Sequence, residues 1–188
     1  MALPAAAPER QLKHRRQIDV QIYARGDGLW EVDARLLDTK TRELALAGGV
    51  LAAAAPLHDL LLRLVVDQDF QIVAAGAESL ATPYPGHCDQ HGDAYTRLVG
   101  LNLLREFRQQ VRQRLGGVLG CTHLTELTQV LPTAVIQAFA GEVLPAAEAE
   151  GSMPPPQLDR CHALRTSGEV VRRHYPRWHR PSAGHNPT

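Results

Sequence analysis

The chain has 188 residues, of which 44% are hydrophobic, and this suits one domain with a core and a tail. Lys+Arg and Asp+Glu each number 20, so the formal net charge is zero and gives no reason to expect nucleic acid or an anionic membrane as partner. No apolar run reaches the roughly 18 residues of a membrane helix, and no signal peptide is expected. Three widely spaced cysteines then indicate a reduced, cytoplasmic protein without a disulfide framework.

The first half of the chain has the pattern of strands. Residues 1–15 are rich in alanine and proline and are predicted to be a disordered N-terminus. Apolar and polar side chains then alternate with a period of two, with a hairpin signal at Asp27-Gly28. The pattern predicts four strands, near 17–25, 29–38, 59–66 and 70–77. Consecutive hairpins imply an antiparallel sheet with one face covered.

The second half has the spacing of helices. One amphipathic face ends at Gly116-Gly117 and is formed by Leu104, Phe107, Val111 and Leu115. A second face runs from Leu124 to Ala138 and contains Pro132, which should kink or split it. The predicted fold class is therefore α+β, with an antiparallel sheet of three to four strands followed by helices packed on one face.

Composition divides the rest of the chain. The α+β domain is predicted to span residues 16–142. Residues 143–157 are rich in proline and are predicted to be a linker. Apolar periodicity returns briefly in residues 158–188, so we expect a tail that is partly docked, with mobile residues at its end.

Cysteine, histidine and aspartate occur together at four places, namely His58-Asp59, His87-Cys88, Cys121 with His123, and Cys161-His162. The first three lie at a strand start, a strand-to-helix loop and a helix start, and such junctions can converge at one edge of a small domain. Thiolate, imidazole and carboxylate groups are suitable ligands for zinc. For Cys161-His162, a packing role is favoured over ligation.

We therefore expect His58, Cys88 and Cys121 to converge and bind one zinc or iron ion. Asp59 and His123 are the candidate catalytic residues, as base or orienting group. A helix start and a neighbouring histidine both favour the thiolate form of Cys121. Two alternatives remain open. The cysteines are packed thiols beside a satisfied histidine, or Cys121 is a metal-free nucleophile.

The stretch "PLHDLLLRLVVDQDFQIVAAGAES", followed by "GHC", resembles the U-type scaffold proteins of iron–sulfur cluster assembly over roughly residues 16–140. Those scaffolds have a Cys-Gly-Asp before a strand, a cysteine after the next hairpin, and a third cysteine that opens a late helix. The matching positions are His58-Asp59, Cys88, and Cys121 with Leu124. The resemblance implies the scaffold fold and a site at these positions. Separately, "HDLLLRLVVD", "GCTHLTEL" and "DRCHAL" resemble a bacterial domain family of unknown function.

Three functions fit this sequence. The first is a zinc- or iron-binding protein, either regulatory or catalytic, and the catalytic form is a metal-dependent enzyme that acts on a small molecule. The second is a non-enzymatic carrier or adaptor for metal or sulfur, and the third is a metal-free module that binds a small ligand. The expected partners are accordingly a small-molecule substrate or a metal- or sulfur-handling protein, without nucleic acid or membrane, and the protein is expected to be a monomer or a homodimer.

Overall fold

The computed structural model describes residues 3–144, 154–155 and 157–181. The strands are β1 (His14–Ala24), β2 (Trp30–Lys40), β3 (Leu44–Leu46), β4 (Gly49–Leu51), β5 (Pro56–Val66) and β6 (Ile72–Ala81). The four long strands form one sheet in the order β1-β2-β5-β6, and every neighbouring pair is antiparallel. The predicted antiparallel sheet is thus confirmed. The connection from β2 to β5 contains a separate hairpin, β3-β4, where only a loop was expected.

The predicted hairpin turn joins β1 to β2. The backbone N–H of Arg25 donates to the carbonyl of Leu29 at 2.9 Å and closes the turn. Gly28 has a φ of +82°, a left-handed conformation that glycine adopts without steric penalty. The Asp-Gly pair is therefore the local reason why these two strands are neighbours.

The helical elements follow the sheet in the chain. They are a 3-10 helix (Cys88–Leu98), α1 (Phe107–Leu115), a short 3-10 helix (Gly117–Leu119), α2 (Thr122–Thr128), α3 (Leu131–Phe139), α4 (Glu169–His174) and a last 3-10 turn (Pro176–Trp178). Pro132 is the second residue of α3, where its missing N–H group leaves no helical hydrogen bond unmade. It therefore splits the predicted long helical face into α2 and α3. No helix in the described ranges has the length and apolar character that crossing a membrane requires.

The chain divides into two compact units, residues 1–135 and 136–188. The first unit contains the whole sheet. The second contains α4, and within it Leu158 and Val171 are buried. β1 begins inside the segment predicted as a disordered N-terminus. Most of the predicted linker, 145–153 and 156, lies outside the described residues, and the predicted domain boundaries and tail docking stay predictions.

The core of the first unit lies on the face of the sheet that carries the even-numbered residues of β2 and β5. The buried residues on this face of the two strands include Val32, Ala34, Leu36, Leu60, Leu62, Leu64 and Val66, and helices supply Phe107, Val111, Leu115, Leu124 and Leu127. β2 and β5 pair so that Leu36 lies opposite Leu60. The strands are antiparallel, so two residues later on β2 and two residues earlier on β5 the same register places Asp38 opposite His58. The alternation that builds the apolar core thus brings two polar side chains together at its end.

A core substitution tests this assignment. Leu62 is 1% exposed on the core face, whereas Leu80 on β6 is 53% exposed. We expect Leu62→Ala to lower the free energy of unfolding by about 3 kcal/mol, because it removes buried contacts and leaves a cavity. The control Leu80→Ala should change it by less than about 1 kcal/mol. Urea denaturation of both variants measures this, and equal losses would contradict the proposed core face.

Candidate metal centre

An ion pair between a partly exposed arginine and a buried aspartate joins β1 to β2 at the end of the core face. Asp38 is 1% exposed and lies opposite Arg16 in the register of these strands. Arg16 donates from Nε to Oδ1 and from Nη2 to Oδ2 of Asp38, both at 2.8 Å. Burial alone would raise the pKa of Asp38, but the hydrogen bonds from Arg16 and His58 outweigh it and hold the pKa below its ordinary value. The carboxylate is therefore ionised at neutral pH.

His58 extends this row onto β5. Its Nδ1 lies 3.0 Å from Oδ2 of Asp38, and its side chain is 12% exposed. An ionised carboxylate only accepts hydrogen bonds, so Nδ1 of His58 carries the proton in this contact. A carboxylate bonded to a histidine in this way fixes the orientation of the ring.

Helix α2 adds a second imidazole. The rings of His123 and His58 have centroids 3.9 Å apart and planes tilted by 35°. Burial, followed by the electrostatic effects of His58 and Arg16, lowers the pKa of His123, which keeps it neutral at pH 7 and able to bind a metal ion. One ligand atom each from Asp38, His58 and His123 can be chosen so that all three lie within 4.8 Å of one another. We call these three residues the cluster.

Cys121 lies immediately before α2, beside the cluster. Its Sγ is 4.0 Å from Nδ1 of His123. The carbonyl of Cys121 accepts a 2.7 Å hydrogen bond from the hydroxyl of the fully buried Tyr95, which also lies 2.8 Å from Oγ1 of Thr125. Burial raises the pKa of Tyr95 to about 12, so the phenol keeps its proton. The start of α2 is therefore held in place by a buried tyrosine.

Arg16 also fastens α2 to the sheet. Its Nη1 lies 2.6 Å from Oε2 of Glu126, a contact that is partly exposed. Glu126 is three residues after His123, so both side chains lie on the same side of the helix. The guanidinium of Arg16 thus links β1 to β2, which carries Asp38, and to α2, which carries His123.

The residues expected from sequence have different positions. His58 and His123 are in the cluster and Cys121 is next to it. Cys88 opens the 3-10 helix Cys88–Leu98 and lines a groove together with Cys121. Asp59 follows His58 on β5 and so points to the opposite face of the sheet, where Arg35 binds it with two hydrogen bonds of 2.7 and 2.6 Å. The catalytic role of Asp59 and the ligand role of Cys88 stay predictions.

Sequence reasoning missed Asp38 and Arg16. A signal for Asp38 was present, because it occupies the core parity of its predicted strand after Trp30, Val32, Ala34 and Leu36. A charged residue at a core position needs a partner. The contact with His58 could not be predicted, because β2 and β5 are separated by a long connection that does not fix their register. Arg16 was within reach, since the Asp-Gly turn fixes the register of β1 and β2 and places Arg16 opposite Asp38.

Asp38 and Asp33 each accept two hydrogen bonds from one arginine, and a comparison of the two tests how much burial adds to the stability of the fold. Asp33 on β2 binds Arg63 through two 2.6 Å hydrogen bonds, but both side chains are much more exposed than Asp38. We expect Asp38→Asn to lower the free energy of unfolding by about 2 kcal/mol, because it removes the charge from a buried acceptor of hydrogen bonds from Arg16 and His58. Asp33→Asn should lower it by less than about 1 kcal/mol.

The same pair of variants predicts a pH dependence. A depressed carboxyl pKa contributes stability above the ordinary value of 3.8, and this stability is lost as the pH falls through the folded-state pKa. The difference between the native protein and Asp38→Asn, measured by urea denaturation, should therefore shrink below pH 3.8. A difference that is constant from neutral pH through this acid range would contradict the assignment.

The comparisons with known proteins concern this same region. A family model described as "Protein of unknown function (DUF2889)" matches residues 14–137, which include every residue of the cluster. No curated protein and no solved structure matches the chain, so the resemblance to iron–sulfur scaffolds receives no support. The expectation of a domain family of unknown function is confirmed: the chain belongs to the DUF2889 family.

Proposed function

We propose that this protein binds one first-row divalent metal ion, iron or zinc, through Asp38, His58 and His123. The observation that carries the proposal is the proximity of ligand atoms from three different elements, all within 4.8 Å of one another. Two histidines and one carboxylate with further positions open form the facial triad of non-haem iron enzymes, and two histidines with one carboxylate also bind catalytic zinc.

The distances within the cluster support shared ligation. His58 Nδ1 and Asp38 Oδ2 are 3.0 Å apart. Two ligands that are each about 2.1 Å from one ion, at about 90° to each other, are separated by about 3.0 Å. In the metal-bound form the ion takes the place of the proton that these two atoms share, so binding releases this proton.

The electrostatics support a neutral imidazole and an ionised carboxylate, which are the forms that bind metal. The pKa of Asp38 and the pKa of His123 both lie below their ordinary values. A metal ion held here would act on a small molecule as a Lewis acid or as a source of activated water, and this makes a metal-dependent enzyme the favoured function.

One observation favours a second candidate function. The 4.0 Å contact between Cys121 Sγ and His123 Nδ1 suits a thiol nucleophile with a histidine as its base. In that case His58 and Asp38 would orient His123 without metal. A carrier of metal would share the first site, and only turnover of a substrate separates it from an enzyme.

Metal content separates the cluster from the ligand set expected from sequence. We expect the untagged protein, purified anaerobically, to contain about one iron or zinc per chain by elemental analysis. His123→Ala should weaken binding by more than about 100-fold, because loss of a ligand exceeds the effect of losing an outer hydrogen bond. Cys88→Ser should retain the metal, whereas a site formed by His58, Cys88 and Cys121 would lose it.

The exposed residue His174 provides a matched control. His174→Ala removes an imidazole far from the proposed ligands in sequence and should leave the metal content unchanged. Retention of metal by His123→Ala, or equal loss in all three variants, would overturn the proposed centre. If no variant and no native protein binds metal while Cys121 still reacts rapidly with alkylating agents, the thiol nucleophile becomes the better explanation.

A further inference from the structure

A groove of about 360 Å³ lies beside the cluster. It is lined by Tyr84, His87, Cys88, His91, Gly120 and Cys121. Cys121 lines the groove and also contacts the cluster, since its Sγ lies 4.0 Å from Nδ1 of His123. The groove therefore adjoins the proposed metal centre through Cys121.

The chemistry of this groove is mostly apolar. Its described lining contains three rings and two thiols, but no lysine, arginine, aspartate or glutamate. A phosphate or carboxylate group that entered it would find no permanently charged partner and would lose its hydration. Aromatic walls with few polar groups are typical of pockets for small organic ligands, and this volume is near the lower end of their range.

Tyr84, which is 51% exposed, is held on a structured turn. Pro83 and Pro85 flank it and restrict the backbone. The carbonyl of Tyr84 accepts hydrogen bonds from the N–H groups of His87 at 3.2 Å and of Cys88 at 3.0 Å. An exposed tyrosine on a braced turn is a preorganised surface against which a ligand ring can pack.

We propose that this groove is the substrate subsite, and that it takes an uncharged molecule of one or two aromatic rings whose reacting group points toward Cys121 and His123. The role of the reacting group rests on the proposed function. The preference of the groove for an uncharged aromatic body does not require metal, and the two parts can be tested separately.

The first test uses metal-free protein and three thiol reagents, N-methylmaleimide, N-phenylmaleimide and N-(4-carboxyphenyl)maleimide. Mass spectrometry gives the alkylation rate of each cysteine, and the exposed Cys161 is the internal reference. We expect the phenyl-to-methyl rate ratio at Cys121 and Cys88 to exceed that at Cys161 by about tenfold, because the phenyl group is buried in the groove. The carboxyphenyl reagent should lose most of this advantage.

Two tyrosine variants make this test specific. Tyr84→Ser should bring the ratio at Cys121 close to that at Cys161. Tyr23→Ser, which removes a tyrosine of similar exposure (47%) on β1, should leave it unchanged. Equal ratios at all three cysteines of the native protein, or no effect of Tyr84→Ser, would overturn the aromatic subsite.

The second test links the groove to the metal centre. Acetohydroxamic and benzohydroxamic acids carry the same chelating group, but only the second has a ring. In metal-loaded protein we expect benzohydroxamic acid to bind about tenfold more tightly, and Tyr84→Ser to remove the difference. Equal affinities of the native protein for the two hydroxamic acids would show that the groove does not contribute to binding at the metal centre. Absence of metal from the protein would instead refute the proposed function. The maleimide experiment would then test only the preference of the groove for an aromatic ring.

Discussion

The ion pair between the partly exposed Arg16 and the buried Asp38 is the interaction on which the site depends. The carboxylate is 1% exposed, and its two oxygens also lie within reach of His14 and His58. Without these donors, an ionised carboxylate at the end of an apolar core would be strongly unfavourable. Arg16 satisfies it and uses its remaining nitrogen to bind Glu126 on α2. Arg16 therefore stabilises the buried carboxylate of Asp38 and also links α2 to the sheet.

The fold could be predicted to the extent that its signals are local. Alternation in β1 and β2, together with the Asp-Gly turn, defines a hairpin without any information from distant residues. The same holds for β5 and β6, and the position of Pro132 sufficed to separate α2 from α3. The hairpin β3-β4 was missed because its strands have three residues each, too few for a period to be recognised. Local pattern thus specified the elements, but the pairing of β2 with β5 required the tertiary structure.

The candidate site depends on that pairing, and for this reason it was only half predicted. His58 and His123 were recognised as ligand-type residues at element ends, and they do meet. Asp59 was selected because it follows His58 directly in the chain, and Asp38 was not considered. In a strand, however, consecutive side chains face opposite sides, so the carboxylate that reaches His58 had to come from another strand. Two residues that are neighbours in a strand therefore lie on opposite faces of the sheet and do not share a site.

Charge balance decides how a cation could be held beside Arg16. A divalent ion bound by Asp38 would lie near the guanidinium of Arg16, which contacts the same carboxylate. Two positive charges so close together repel each other in a partly buried site. Glu126 offsets this repulsion because it pairs with the far side of the same guanidinium. Asp38 and Glu126 together supply two negative charges against three positive ones, while His58 and His123 are neutral ligands.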